Sequence, residues 1–359
     1  MNLNLRPKEE CQFDAVSLGE VMLRLDPGEG RIRTARNFRA WEGGGEYNVV
    51  RGLRRCFGMK TAVITAFADN EVGKLMEDFI LQGGVDTSLI NWKKTDGIGR
   101  ICRNGINFTE RGFGIRGAVG CSDRANTAIA QATPEDFDFD YIFGELGVRW
   151  LHTGGIYAAL SEQSCETVLA AIKAAKKLGL TVSFDPNFRS TLWSFETARD
   201  VLSRYLPYVD VLIGIEPIHV YNADGTDVKD GLTMDPSFED MDRVFKAIDE
   251  QYHMKAIART VRYVHSGSNN SLKAFYYADG KTYESKTLNF EIVDRVGGGD
   301  AFSSGLIYAL MQNDWKHEDI VNFAVASSVM KHAIRGDTNI TSVDQIKRLM
   351  NNASFDVQR

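Results

Sequence analysis

The chain has 359 residues, 43% hydrophobic and 25% charged, an ordinary globular composition with length enough for a large core. A formal net charge of -6 gives no basic footprint for nucleic acid, and no run of about 18 apolar residues is present to span a bilayer. Five scattered cysteines without a C-x-x-C pair, together with a polar Met1 to Asp14 stretch, point to a reducing, cytoplasmic setting, and the dispersed histidines lack zinc spacing.

Taken in chain order, Ala15 to Leu25 reads as a strand without the crossover helix that a parallel sheet needs. Gly43-Gly44-Gly45-Glu46-Tyr47-Asn48 follows as a glycine-rich entry to a helix. Gly97 to Phe108 is strand-like again, so segments of about 15–45 and 97–120 are expected to form a small β appendage, a lid over one end of a main sheet. The middle of the chain is a βαβ unit. Trp150-Leu151-His152 is a strand, Ser161 a helix N-cap, and Cys165, Leu169, Ile172, Ala175 and Leu178 one apolar helix face; Gly179 stops that helix before the strand Thr181 to Phe184. Strands are expected at Val209 to Ile213 and Lys255 to Thr260, then a hairpin of Lys273 to Tyr277 and Thr282 to Phe290 turning at Asp279-Gly280. With no Pro- or Ser-rich linker, this alternation predicts a single α/β domain over 14–359, a mostly parallel sheet covered by helices.

Chemistry concentrates in Asp294-Arg295-Val296-Gly297-Gly298-Gly299-Asp300, set between an apolar strand and a small-residue helix. Three glycines leave the N–H groups bare where a helix begins, and free donors plus the helix dipole attract phosphate oxygens. Asp300 beside them is placed to take a proton from an attacking hydroxyl while those amides hold developing charge. A plain glycine turn with a capping Asp is the competing explanation. The early motif contributes Asn48, which both donates and accepts hydrogen bonds, as a polyol requires. Phe302, Leu306, Ala309 and Leu310 form one helix face and read as core.

The early G-G-x-x-x-N and the late G-x-G-D, in an α/β chain of this length, resemble the ribokinase-like (PfkB) sugar kinases, nearly end to end. Asp185-Pro186-Asn187-Phe188-Arg189-Ser190-Thr191-Leu192-Trp193 is similar to the D-x-N-x-R-x-x-L-W segment of 2-keto-3-deoxygluconate kinases. The resemblance implies a three-layer α/β domain with a β lid, a homodimer through that lid, ATP with Mg²⁺ and a monovalent cation as cofactors, and Asp300 as base beside Gly297, Gly298 and Gly299. It implies Gly44, Gly45, Asn48, Asn107, Arg189 and Asp337 at the sugar acid, with Arg189 gripping a carboxylate; an ordinary surface ion pair is the alternative for that side chain. It implies Asn187, Glu216, Thr260, Ser266, Gly267 and Gly299 at the nucleotide, Glu216 also meeting Mg²⁺ through water. Three departures stand out. Gly298 replaces the usual Ala, Asn107 and Thr109 replace an aromatic and an Arg for which Arg111 or Arg116 is the candidate substitute, and Gly214 to His219 retains Glu216 as its one acid. The expected reaction is transfer of the γ-phosphate to the C6 hydroxyl of 2-keto-3-deoxygluconate. The alternatives are a kinase of fructose or a deoxygluconic acid, and a degenerate kinase fold that binds sugar acid without turnover.

Overall fold

A computed structural model describes residue 3 and residues 5–312 and 314–351; residues 352–359, the end of the expected domain, lie outside them. The strand β1 (Ala15–Leu18) enters the centre of a large sheet, and the chain then leaves it for β2 (Met22–Asp26) and β3 (Arg39–Gly43) of a small one. Helix α1 (Gly45–Phe57) returns to β4 (Thr61–Ala68), and α2 (Glu71–Gln82) leads to the edge strand β5 (Ile90–Lys93). The small sheet is completed by β6 (Gly105–Glu110) and β7 (Val119–Asp123), in the order β3-β2-β6-β7. Alternation follows: β8 (Trp150–Gly154), α3 (Gly155–Ala158), α4 (Glu162–Lys177), β9 (Thr181–Asp185), α5 (Phe195–Ser203), β10 (Val211–Ile213), α6 (Phe238–Tyr252) and β11 (Ala256–Val264). Strands β12 (Asn269–Ala278), β13 (Lys281–Glu284) and β14 (Leu288–Glu291) fold back antiparallel, before α7 (Gly298–Leu310), α8 (His317–His332) and α9 (Val343–Met350).

Among the described residues the large sheet runs β13-β12-β11-β10-β9-β8-β1-β4-β5 with β14 beside β12, and every neighbour from β11 to β5 is parallel. Parallel strands are buried on both faces, and consecutive residues point to opposite sides. Val16, Leu151, Leu212 and Ile257 pack on one face with Val168 and Ile172 of α4. Their immediate neighbours Ala15, Trp150, Val211 and Ala256 pack on the other with Phe302, Leu306 and Phe323 of α7 and α8. The expected core face of α7 is therefore buried, and α4 begins and ends as its sequence predicts: the Ser161 hydroxyl accepts from Ser164 N at 3.0 Å, and Gly179 adopts φ +78°. A third apolar group, including Val21, Leu23, Tyr47, Phe67 and Met76, seats the small sheet on α1 and α2.

Four boundaries differ from expectation. Ala15–Leu18 lies in the main sheet, so the small sheet takes its first strands from 22–43, because the run is buried on both faces, as a central parallel strand must be. The segment before Gly105 is a loop, and β6 begins only there. The second arm of the late hairpin is two strands, β13 and β14, interrupted at 285–287 where Ser285 turns its backbone N–H and its hydroxyl onto Ala274. Most consequentially, β11 continues past Thr260 to Val264, paired without a break to β12.

Candidate active site

Two helix N-termini, α1 and α7, face each other at the carboxyl edge of the parallel strands, the place where open α/β sheets bind ligands. Between them and the small sheet lies a cleft of about 660 Å³. A bond joins the two helix starts: Asn48 Nδ2 in the first turn of α1 donates to Asp300 Oδ2 in the first turn of α7 at 2.7 Å. Asp300 lines the cleft and is partly buried, and its carboxyl is pushed up to about 6. Burial is the main cause, opposed by the Asn48 bond, reinforced by the Asp337 charge, and opposed again by Arg189 and Lys331. Such a group is ionised near neutral pH yet basic enough to take a proton.

The loop that carries Asp300 needs its glycines for different reasons. Gly297 has φ +79°, a left-handed conformation, and a Cβ there would overlap the carbonyl oxygen of Asp337. A Cβ on Gly298 would run into the His332 ring, which explains why this chain carries glycine where the resemblance leads one to expect alanine. Gly299 faces open space, with nothing within 4 Å of its Cβ position. The N–H groups of Gly297, Gly299 and Asp300 have no hydrogen-bond partner among the described residues, so an anion meets bare donors at the helix start. Across the cleft, a Cβ on Gly45 would sit 3.6 Å from Asn187 Nδ2 and 3.9 Å from Asp300 Oδ1, so Gly45 leaves room beside that carboxylate.

Most of the remaining expected residues converge here. Gly44, Asn107, Asn187, Arg189, Glu216, Thr260 and Asp337 all line the cleft. Asn187 sits at φ +39° in a turn closed by its own N–H on Asp185 Oδ1 at 2.9 Å. Arg189 is exposed, donates to the Phe188 carbonyl at 3.0 Å, and has no acid within ion-pair distance among the described residues, which removes the surface-pair alternative. Asn107 is held from both ends, donating to Thr109 Oγ1 at 2.9 Å and accepting from Ser122 Oγ at 3.0 Å. Glu216, on the loop after β10, is 4.0 Å from Lys229 Nζ, and desolvation pushes its carboxyl up to about 7 against the pull of that lysine.

Two expectations fail. Ser266 and Gly267 do not line the cleft: the extension of β11 carries them to the turn into β12, where Gly267 N donates to Gly114 O at 2.6 Å and Ser266 Oγ accepts from Asn269 N at 3.0 Å. Arg111 and Arg116 do not supply cleft charge either. The first faces Asp26 and the Val293 carbonyl, and the second Glu110. The cations that do line the cleft are Arg24, Arg124, Arg189, Arg259, Arg262 and Arg295.

Sequence reasoning missed the cleft arginines other than Arg189, and also the acids Asp185 and Glu46 and the cation Lys331. Asp185, at the end of β9, is pushed up to about 7 by burial and then by the Asp300 charge; as the first residue of a strand-terminal D-P-N segment it had a readable signal. Glu46 is buried in the second residue of α1, its Oε1 accepting from Tyr157 N at 3.3 Å, and it too is raised to about 7, first by burial. Buried Lys331 donates to the carbonyls of Asp294 and Ile334 at 3.3 and 3.2 Å, with burial lowering its affinity for a proton.

A carboxylate of raised proton affinity, helix-terminal amides without partners and the guanidinium groups of Arg189, Arg259, Arg262 and Arg295, unpaired with any acid among the described residues, form in one cleft an arrangement suited to phosphoryl transfer on an α/β scaffold. Residues 12–342 match the pfkB family carbohydrate kinases, and the chain belongs to that family, so the enzyme is a phosphotransferase with an alcohol acceptor. It is similar to the 2-dehydro-3-deoxygluconokinase of Thermotoga maritima, whose crystal structure superposes with a TM-score of 0.82 at 31% identity, covering 94% of this chain and 99% of that one. The 2-dehydro-3-deoxygalactonokinase of Haloferax volcanii is 27% identical over 96% of this chain and 99% of its own length. The 5-dehydro-2-deoxygluconokinase of Clostridium perfringens is 27% identical over 95% and 94% respectively.

Proposed function

We propose that the protein transfers the γ-phosphate of ATP to the terminal C6 hydroxyl of a sugar acid of the 2-keto-3-deoxygluconate type. The observation that carries this reading is the Asn48–Asp300 bond, which holds a carboxylate of raised basicity beside free helix-terminal amides. Asp300 takes the hydroxyl proton as the oxygen attacks in line, and the N–H groups of Gly297, Gly299 and Asp300 receive the charge that grows on the phosphate. Arg189, without an acidic partner among the described residues, meets the sugar carboxylate through parallel hydrogen bonds. Asn107 and Asp337 orient its hydroxyls, and Asn187 and Thr260 face the nucleotide.

The donor set in the cleft fits Mg²⁺, since Asp185 and Glu216 offer hard carboxylate oxygens and that ion keeps several waters when it also binds phosphate. When bound, the ion would neutralise phosphate charge. The small sheet acts in this proposal as a lid that excludes water, and its edge strand β7, exposed along its length, as the contact of a homodimer. The similarity to a 5-dehydro-2-deoxygluconokinase supports a second reading, a differently oxidised deoxygluconic acid as acceptor. An ADP-release assay over a panel of sugars and sugar acids tests both. Turnover confined to neutral sugars would refute the acid assignment, and nucleotide binding without turnover on any acceptor would refute the kinase reading.

A further inference from the structure

Strand β2 carries an arginine that is only 1% exposed, and its surroundings explain why a charge is kept there. Arg24 Nη1 donates to Asp337 Oδ1, and Nη2 donates to Asp294 Oδ2 at 2.9 Å, with Asp26 Oδ2 3.7 Å away. Asp337 lines the cleft, and Asp294 is buried at the start of the glycine loop that lines it. Asp294 begins the glycine loop: its Oδ1 accepts from Val296 N at 3.2 Å and its Oδ2 from Gly336 N at 3.1 Å, while its carbonyl receives Lys331. Asp337 lines the cleft, and its carbonyl oxygen occupies the space where a Cβ on Gly297 would fall.

Strand register extends the contact. Arg24 stands opposite Trp41 of β3 and Asn107 of β6, and Asn107 opposite Ser122 of β7, so these four form one cross-strand row on a single face. Trp41 at one end lies over Gly336, and Asn107 and Ser122 at the other line the cleft wall. Any shift of the small sheet therefore moves the sugar wall and the guanidinium under the glycine loop together.

We infer that Arg24 is a positioning residue for phosphoryl transfer: from the small sheet it fixes the Asp294 and Asp337 carboxylates, and through them the amides of 297–300 and the sugar-facing oxygen of Asp337. The inference rests on the kinase reading given above. A planar guanidinium reaches two carboxylates in one fixed geometry, whereas a lysine ammonium keeps the charge without the fork. Arg24→Lys is accordingly the informative variant. Its kcat with the preferred acceptor falls on the order of 100-fold, the effect of a small displacement at the reacting centre, while the KM for ATP changes little. Hydrogen exchange gives a readout that needs no acceptor: the hydrogen-bonded amides of Asp294, Val296, Gly298 and Gly336 exchange on the order of 10-fold faster than in the wild type, and those of α4 do not.

Asp294→Asn perturbs the same bond from its other end and is expected to give the same pair of results. Unchanged kcat and unchanged loop exchange in Arg24→Lys overturn the inference. So does a general loss of folding in both variants without a loop-specific effect in the soluble fraction, since that assigns the network to stability alone. Absence of wild-type turnover on every acceptor refutes the kinase reading instead, and the exchange comparison still decides whether Arg24 holds the loop.

Discussion

Replacing Asn48 by alanine should move the pH dependence of the enzyme by an amount that follows from one bond. Asn48 donates to Asp300 at 2.7 Å, which favours the carboxylate and holds its proton affinity down. A hydrogen bond to a charged group contributes about 1.5–3 kcal/mol, and one pKa unit corresponds to about 1.4 kcal/mol, so its loss raises the Asp300 pKa by about 1–2 units. From a starting value of about 6, the base then titrates near 7–8. At pH 7 the ionised fraction drops from about 0.9 to between about 0.5 and 0.1. The assay is kcat/KM against pH, which reports the free enzyme's essential base. The acid limb of the Asn48→Ala profile should lie to the alkaline side of the wild-type limb, with much of the lost rate restored by pH 9. A limb that stays in place while the whole profile falls would show that Asn48 serves the substrate and not the base, and a limb displaced toward acid would contradict the electrostatic account.

Asp337→Asn removes a charge that raises the Asp300 pKa, so in the same assay its acid limb should move the opposite way, to lower pH. Asp300→Asn should bind ADP normally by calorimetry and lose about 10²- to 10⁴-fold in kcat, the usual contribution of general base catalysis; near-normal turnover would remove Asp300 from the proton transfer. Arg189→Ala should raise the KM for a sugar acid on the order of 10- to 100-fold, as expected for a charged hydrogen bond, and leave neutral sugars little affected. Gly298→Ala should destabilise the fold by about 1–3 kcal/mol through overlap with the His332 ring, read as a lower Tm, and the penalty should largely vanish in a His332→Ala background. An equal penalty in both backgrounds would mean that the backbone, and not the ring, is what excludes the methyl group.

The features legible in the sequence are those that local physics alone dictates. Ser161 caps α4 and Gly179 ends it because a cap and a left-handed residue act within one turn. Asp300 and Gly297 to Gly299 were readable for the same reason, since a helix N-terminus with unshielded amides is a local property. The reading failed where distant partners decide. Ala15–Leu18 looks like any apolar strand, and its place at the sheet centre is set by β4 and β8 on either side. Nothing in the strand around Arg24 signals its role, and only Asp294 and Asp337, far along the chain, show why it is buried. The expected strand Lys255 to Thr260 stops short, since pairing with β12 carries β11 on to Val264 and takes Ser266 and Gly267 away from the cleft.

The two glycine-rich helix starts, each ambiguous alone, acquire meaning from being brought together. A glycine loop with a capping acid is common, and so is a helix entry with an Asn in its first turn. Here Asn48 and Asp300, 252 positions apart, share a bond across a cleft, and the same acid is raised by burial and crowded by Asp337. A cap needs none of this. An N-cap acid accepts from the amides of its own helix and loses proton affinity, whereas Asp300 lies inside α7 and takes its hydrogen bond from another helix, and its own N–H and those of Gly297 and Gly299 have no partner among the described residues. Bare donors and a carboxylate of raised basicity in one open cleft offer a phosphate and a hydroxyl the two kinds of partner they need, which a capped turn does not.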